Sequence, residues 1–319
     1  MPNINKVPGR ITRRGCSTSV RSNAAIRVLC RLAPSIGVAR AGLLRRLCGQ
    51  VLAALLVSSA AEAGEVSDWM QSQHSAARLI DAGPGPDKSS PARRLVGIEI
   101  RLDPPYLTYW RSPGDAGVAP TFDFKGSDNL RTAQVLYPAP RRLDEDGMTA
   151  FGYIAGVIFP VVVEGEDPSR PVTLDVGLDY AVCARLCLPA RASLRLQLGG
   201  EGSAEARALE TALAAVPQPR GLGEAGPLRI DAIVATPGGP AVQATTPDGT
   251  GVLFAEAPEP WFVAASPAQS LGQGRLSFAL TMPDRPAGPV PHAPLRLTLV
   301  GQDGAIEVSV PLDEAVPKP

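Results

Sequence analysis

The stretch Val172–Leu198, VTLDVGLDYAVCARLCLPARASLRLQL, decides the fold. Apolar and polar residues alternate on the way into Cys183 and again on the way out of Cys187, the period-two signature of half-buried β-strands. Only Ala184, Arg185 and Leu186 separate the cysteines. A three-residue hairpin connection brings its flanking positions opposite one another at Cα separations of about 4.5–5.5 Å, which a disulfide accepts. A helix would also bring positions i and i+4 onto one face. Pro189 and the Val-Thr-Leu run before the site favour the hairpin.

Outward from this hairpin the same period recurs in LVGIEIRL, YLTYW, AQVLY, VIFPVVV, VTLDVGL and ASLRLQL, each bounded by Pro, Gly, Asp or Ser. Short strands at this spacing predict an antiparallel sandwich. SAEARALETALAAVP, from Ser203 to Pro217, is the one helical interruption, with Ser203 as a candidate N-cap and a proline to stop it. Alternation resumes in LRIDAIVA, GVLFAEA, RLSFALTM, LRLTLV and AIEVSVP. The expected organisation is an export segment at 1–63, a β-sandwich at 64–200, a helical connector and linker at 201–224, and a second small β domain at 225–319. With 33 prolines and 32 glycines in 319 residues, turns have ample supply.

The first 63 residues hold ten of the 31 basic residues and one acid, Glu62. Basic residues up to Arg46, an apolar stretch from Leu47 to Val57 and Ala61-Glu62-Ala63 follow the order of a secretory signal cut after Ala63. That apolar run is too short to span a bilayer, which takes about 20 residues. Cleavage would leave 21 basic and 30 acidic residues, a net charge near −9, which argues against nucleic acid as a partner. It would also remove Cys16, Cys30 and Cys48, leaving Cys183 and Cys187 as the only thiols in an oxidising compartment.

Three roles remain open for the pair. As a staple, a ring of about five residues stabilises by roughly 2 kcal/mol, against nearly 5 for one of a hundred. A zinc site is short of ligands, because His74 and His292 are far away in sequence; copper(I), satisfied by two or three soft ligands, fits a reduced pair better. No resident metal or cofactor is expected. Exchange needs one exposed sulfur and a neighbour that resolves the mixed disulfide, and a loop tip supplies both. Arg185 would favour a thiolate modestly. Neither histidine has an acid and a serine in a catalytic pattern, and no phosphate-cradling glycine motif occurs.

The segments LDPPYLTYWRSPGDAGVAPTFDFKGSDNL, VLYPAPRRL, FGYIAGVIFPVVV and LDYAVCARLCLPARASLRLQL, in this order, resemble the periplasmic N-terminal (alpha) domain of the DsbD thiol:disulfide interchange family. The likeness is to variants with C-x3-C spacing, related to suppressors of copper sensitivity, and covers about 68–200. It implies an immunoglobulin-like sandwich that takes electrons from a membrane protein or a periplasmic thioredoxin-like protein and passes them to oxidised periplasmic clients. The reducing partner must be encoded separately, since these residues include no multi-span membrane domain and no C-x-x-C thioredoxin domain.

The resemblance also implies a cap loop, matched here by DEDGMTAFGYIAG, so Met148, Phe151 and Tyr153 are candidate shields, with Tyr180 beside the pair. It implies that the upstream cysteine is the less shielded; spacing gives no order of attack, and Cys187 is chosen for the mixed disulfide. Trp110, Arg111 and Asp115, in TYWRSPGDAG, are read as a core tryptophan beside a turn or as a docking rim. Trp261 is expected in the second core. The competing function is a non-enzymatic binding protein, either a copper(I) carrier or a sandwich with a structural disulfide.

Overall fold

The computed structural model describes residues 65–85, 93–115, 117–145, 147–283 and 286–316. The expected export segment and its cut after Ala63 lie outside them. Two antiparallel sheets face each other in the first half. One runs in the order β1 (Met70–Ser72), β2 (Ser75–Pro84), β3 (Arg93–Leu102), β9 (Gly156–Gly165), β6 (Leu130–Val135). The other runs β11 (Cys187–Gln197), β10 (Thr173–Cys183), β4 (Leu107–Gly114), β8 (Met148–Ile154), β7 (Arg141–Glu145), with β5 (Thr121–Asp123) also paired to β10. The protein is all-β and immunoglobulin-like, as the alternation and the resemblance implied.

Strand alternation builds the core between these sheets. Val96, Ile98 and Ile100 of β3 and Phe159, Val161 and Val163 of β9 meet Leu174, Val176, Leu178 and Val182 of β10 and Leu194 and Leu196 of β11. Strand β3 is buried on its other side too, under helix α1 (Ala206–Ala214). Leu209 of that helix lies over Gly97, where a Cβ would come within 2.9 Å of Ile158 Cγ2 and 3.2 Å of Leu209 Cδ1. The helix starts later than the sequence suggests. Its N-cap is Glu205, whose side chain makes no capping bond, while Ser203 contributes its carbonyl to the amide of Ala206.

At one end of the sandwich Asp81 is fully buried. It pairs with Arg94 at 2.8 Å and accepts hydrogen bonds from the amides of Gly83 and Gly199. A carboxylate at zero exposure is tolerated only with such partners. It ties β2 to the chain leaving β11.

The second half is another two-sheet sandwich. One sheet is β12 (Gln218–Arg220), β20 (Gly304–Pro311), β19 (Pro294–Gly301), β15 (Val252–Glu256). The other is β13 (Arg229–Thr236), β14 (Gly239–Thr245), β18 (Arg275–Thr281), β16 (Ala264–Ala265), with β17 (Gln269–Gly272) also on β18. A short helix α2 (Leu312–Ala315) follows β20. The expected linker is not all loop, because Gln218–Arg220 pair in parallel with Ile306–Val308. Val242, Leu253, Trp261, Phe278, Leu297 and Val308 are among the residues of this core.

The halves join through one inserted side chain and one ion-pair cluster. Leu253 and Ala255 of β15 face their own core, so Phe254 points the other way and becomes part of the first core, edge-on to Trp110 at 5.6 Å. Beside it Arg111 donates to Glu256 of β15 and Glu307 of β20, and its guanidinium stacks 4.7 Å from the Trp110 ring. The carboxylates hold Arg111 charged despite its burial.

Candidate functional site: a disulfide at a hairpin apex

Strands β10 and β11 pair without a bulge from Thr173↔Gln197 to Cys183↔Cys187, so the hairpin register sets the cysteines opposite one another. They are joined in a disulfide, with Cα atoms 4.1 Å apart. Cys183 is fully buried and Cys187 exposed. This reverses the shielding that the resemblance implied for the upstream cysteine. Cys183 is the last residue of a strand covered by neighbours, whereas Cys187 follows the exposed turn Ala184–Leu186.

Period-two geometry assigns the rest of the site. On β10, Leu178, Tyr180 and Val182 face the core, so Ala181 and Cys183 face outward. Cys183 sits opposite Leu107 of β4, and on β4 the inward Trp110 places Tyr109 outward. Tyr109, Ala150, Ala181 and Cys183 form a second small buried cluster, with Leu107 and Leu143 packed against it.

Tyr109 has no exposed surface although it stands on the outer face. The loop through Gly117 lies on its ring: a Cβ at Gly117 would be 2.3 Å from Tyr109 Cε1, and the backbone there has φ +106°. That combination admits only glycine. The phenol donates to Glu145 Oε2 at 2.9 Å, and its oxygen lies 3.3 Å from Cys187 Sγ. Burial, reinforced by Glu145, pushes the phenol well above its ordinary value, so it stays protonated.

The cover over Cys183 is therefore the outer face of the β7–β8 hairpin. Leu143↔Ala150 and Glu145↔Met148 are cross-strand pairs and share that face. Met148 is exposed at its tip. Phe151 and Tyr153, expected as shields, point to the opposite face. Phe151 stacks edge-on against Phe254 at 4.9 Å, and Tyr153 is buried against Phe159, its hydroxyl donating to the carbonyl of Pro138. Tyr180 also faces inward and bonds Ser75 Oγ at 2.8 Å, although part of it lines a groove beside Cys187.

Trp110 and Arg111 belong to the joint between the sandwiches rather than to a docking rim, and exposed Asp115 donates its amide to the carbonyl of Thr149. Sequence reasoning missed Tyr109 and Leu143, and placed Glu145 in the cap segment without a role. The signal for Tyr109 was its place next to a core tryptophan, which puts it on the other face.

A groove of about 660 Å³ runs from Cys187 along Leu188, Pro189 and Ala190 to Val118 and Ala119. Val118, Leu188 and Pro189 line it, and Leu186, in the turn next to Cys187, is also left exposed. Isolated exposed apolar residues are ordinary; several gathered beside a reactive group mark a contact surface.

No curated protein matches the chain. Among solved structures, the N-terminal periplasmic domain of ScsB from Proteus mirabilis superposes with a TM-score of 0.59 at 21% identity, covering 78% of this chain and 98% of that one. That coverage exceeds what residues 85–198 can supply, so the shared fold extends into the second sandwich. The yeast GGA1 GAE domain aligns at a TM-score of 0.23 and 11% identity, over 42% of this chain and 99% of that one, and carries no argument. Residues 85–198 match the family described as thiol:disulfide interchange protein DsbD, N-terminal. That segment, which includes the Cys183–Cys187 hairpin, is thus similar to the DsbD N-terminal family in sequence.

Proposed function

We propose that the protein is a periplasmic thiol:disulfide interchange protein that relays reducing equivalents through Cys183 and Cys187. Its donor would be a membrane electron-transfer protein or a thioredoxin-like protein, and its acceptors oxidised periplasmic proteins. The observation that carries the proposal is the asymmetry of the pair: an exposed Cys187 bonded to a buried Cys183 at a hairpin apex, beside a groove lined by Val118, Leu188 and Pro189.

A donor thiolate attacks Cys187 Sγ in line with the S–S bond. The bonding pair leaves with Cys183, which takes a proton from solvent. The donor's second thiolate then attacks its own sulfur in the mixed disulfide and releases Cys187, which is protonated in turn. The donor ends as a disulfide and this pair as two thiols, a transfer of two electrons and two protons. Passing electrons to a client runs the same steps in reverse, with Cys187 as nucleophile and Cys183 resolving. In the reduced state the Cys187 thiol donates to Tyr109 Oη while Tyr109 donates to Glu145, a chain that favours thiol over thiolate until a partner displaces it.

Redox equilibration of the full chain with glutathione tests the reading. An exchange pair reaches equilibrium, whereas a structural bond resists at potentials below about −300 mV. Tight copper(I) binding by a reduced protein that does not exchange with glutathione would support a carrier instead.

A further inference from the structure

The β7–β8 hairpin has two faces: the outer meets the first half alone, and the inner, anchored in the first core by Tyr153, also meets the second sandwich. Its outer face, Leu143, Glu145 and Ala150, covers Cys183 and holds Tyr109. Its inner face is gripped by the second sandwich: Phe151 packs against Phe254 at 4.9 Å, and Arg142 Nη2 donates to the carbonyl of Ala265 at 2.7 Å. The Arg142 guanidinium also lies over the Phe151 ring, 5.7 Å from its centre.

The first half holds β8, through its pairs with Leu107–Tyr109 of β4, the Asp115 amide on the Thr149 carbonyl and the Tyr153 hydroxyl on the Pro138 carbonyl, but holds β7 less. Among the described residues β7 pairs only with β8 and ends its sheet. Between Tyr109↔Gly152 and Gly114↔Ala150 the β4–β8 ladder is interrupted by a shift of register. A cavity of about 110 Å³ remains between the hairpin and the second sandwich, lined by Arg142, Thr149 and Phe151 on one side and Trp261, Val263 and Ala265 on the other.

We infer that the second sandwich is a latch for the disulfide site: through Phe254 and the Ala265 carbonyl it holds the β7–β8 hairpin closed over Cys183, and so restrains opening of the disulfide. This rests on the exchange reading above. The physical link is the leaving group. Attack on Cys187 expels Cys183 as a thiolate, and a thiolate confined under Leu143, Ala150 and Tyr109 is destabilised by desolvation. Releasing the hairpin lets water reach that sulfur, so a partner that pries the hairpin from Phe254 accelerates the exchange it takes part in. Phe254 and Arg142 are positioning residues in this scheme.

The test uses two probes on the oxidised full chain. Tris(2-carboxyethyl)phosphine opens an accessible disulfide whatever its biological role; the phosphine becomes its oxide and the pair two thiols. Glutathione equilibrium reports the exchange reading separately. In Phe254→Ala and Arg142→Met the phosphine reaction is expected to run about tenfold faster than in wild type, equivalent to about 1.4 kcal/mol of lost closure. Amide exchange at Ala150 and Gly152 accelerates in both while that at Val176 and Leu194 stays slow.

A second-core variant of matched stability loss, Phe278→Leu, leaves the rate unchanged. Equal phosphine rates in wild type and the latch variants overturn the latch, as does equal acceleration by Phe278→Leu. Should Phe254→Ala not fold, Arg142→Met decides. A wild-type protein that never equilibrates with glutathione refutes the exchange reading, and the phosphine ratios still decide the latch.

Discussion

Replacing Glu145 by Gln isolates the charge that faces the exposed sulfur. The carboxylate is no farther than about 6 Å from Cys187 Sγ, two hydrogen-bond lengths through Tyr109 (2.9 Å and 3.3 Å). A unit charge at that distance is worth about 3 kcal/mol at an effective dielectric near 20 and under 1 kcal/mol in bulk water. Cys187 is exposed, so screening favours the lower part of that range. A carboxylate opposes ionisation of a neighbouring thiol, and Gln keeps an acceptor for Tyr109 without the charge. The expected result is a Cys187 pKa lower in Glu145→Gln by about 0.5 to 1 unit. Iodoacetamide alkylation rates against pH, followed on the Cys187 peptide by mass spectrometry in a Cys183→Ser background, give the value directly. An unchanged pKa, or one that rises, refutes the Glu145–Tyr109–Cys187 chain as the element that restrains the thiolate.

Three further outcomes follow from the packing. The Cys183→Ser/Cys187→Ser double variant loses about 2 kcal/mol of stability at most, the loop-entropy value for a five-residue ring, and remains folded in urea titrations while exchange with glutathione disappears; outright unfolding would assign the bond a structural role. Asp81→Ala leaves the Arg94 guanidinium and two amides without their buried acceptor and costs about 3–5 kcal/mol by urea denaturation; a loss below about 1 kcal/mol would contradict that network. Burial raises the phenols of Tyr109, Tyr137, Tyr153 and Tyr180 above their unfolded values, so this part of the stability is intact below about pH 10 and falls as the unfolded chain ionises above it, by roughly 1.4 kcal/mol per pH unit for each tyrosine. Tyr153→Phe makes that alkaline slope shallower, and an unchanged slope would show that Tyr153 ionises freely.

Local pattern carried the sequence reading as far as neighbours within one strand or one hairpin. Alternation in VTLDVGL and ASLRLQL fixes which residues face the core, and the three-residue connection sets Cys183 against Cys187, as the register shows. Of the cap residues, Phe151 and Tyr153 were misplaced because their assignment depends on a contact between distant strands. In MTAFGYI the large side chains Phe151 and Tyr153 alternate with Ala150 and Gly152, and bulk alone suggests that the large ones do the shielding. The disulfide lies on the small-residue face, where Tyr109 and Leu143 fill the space, and only the pairings of β4 with β8 and β10 disclose this. Arg111 was misread for a related reason. Its partners Glu256 and Glu307 lie 145 and 196 residues away, beyond any spacing rule.

The same geometry explains why Tyr109 serves the site better than a purely apolar cover would. An apolar lid over both sulfurs would block attack on Cys187 as well as desolvate Cys183, leaving an inert staple. A tyrosine buried by its ring and polar at its tip seals Cys183 with one end and offers Cys187 a hydrogen-bond partner with the other. Glu145 then fixes where the phenolic proton goes. It accepts the hydroxyl hydrogen, so the oxygen lone pairs are turned toward sulfur and receive a thiol proton once the pair is reduced. Reactivity is thus divided between two sulfurs of one bond by burial, Cys183 lying under Tyr109, Leu143 and Ala150 while Cys187 stays exposed. Tyr109→Phe separates the two contributions, since it preserves the seal over Cys183 while removing the acceptor at Cys187.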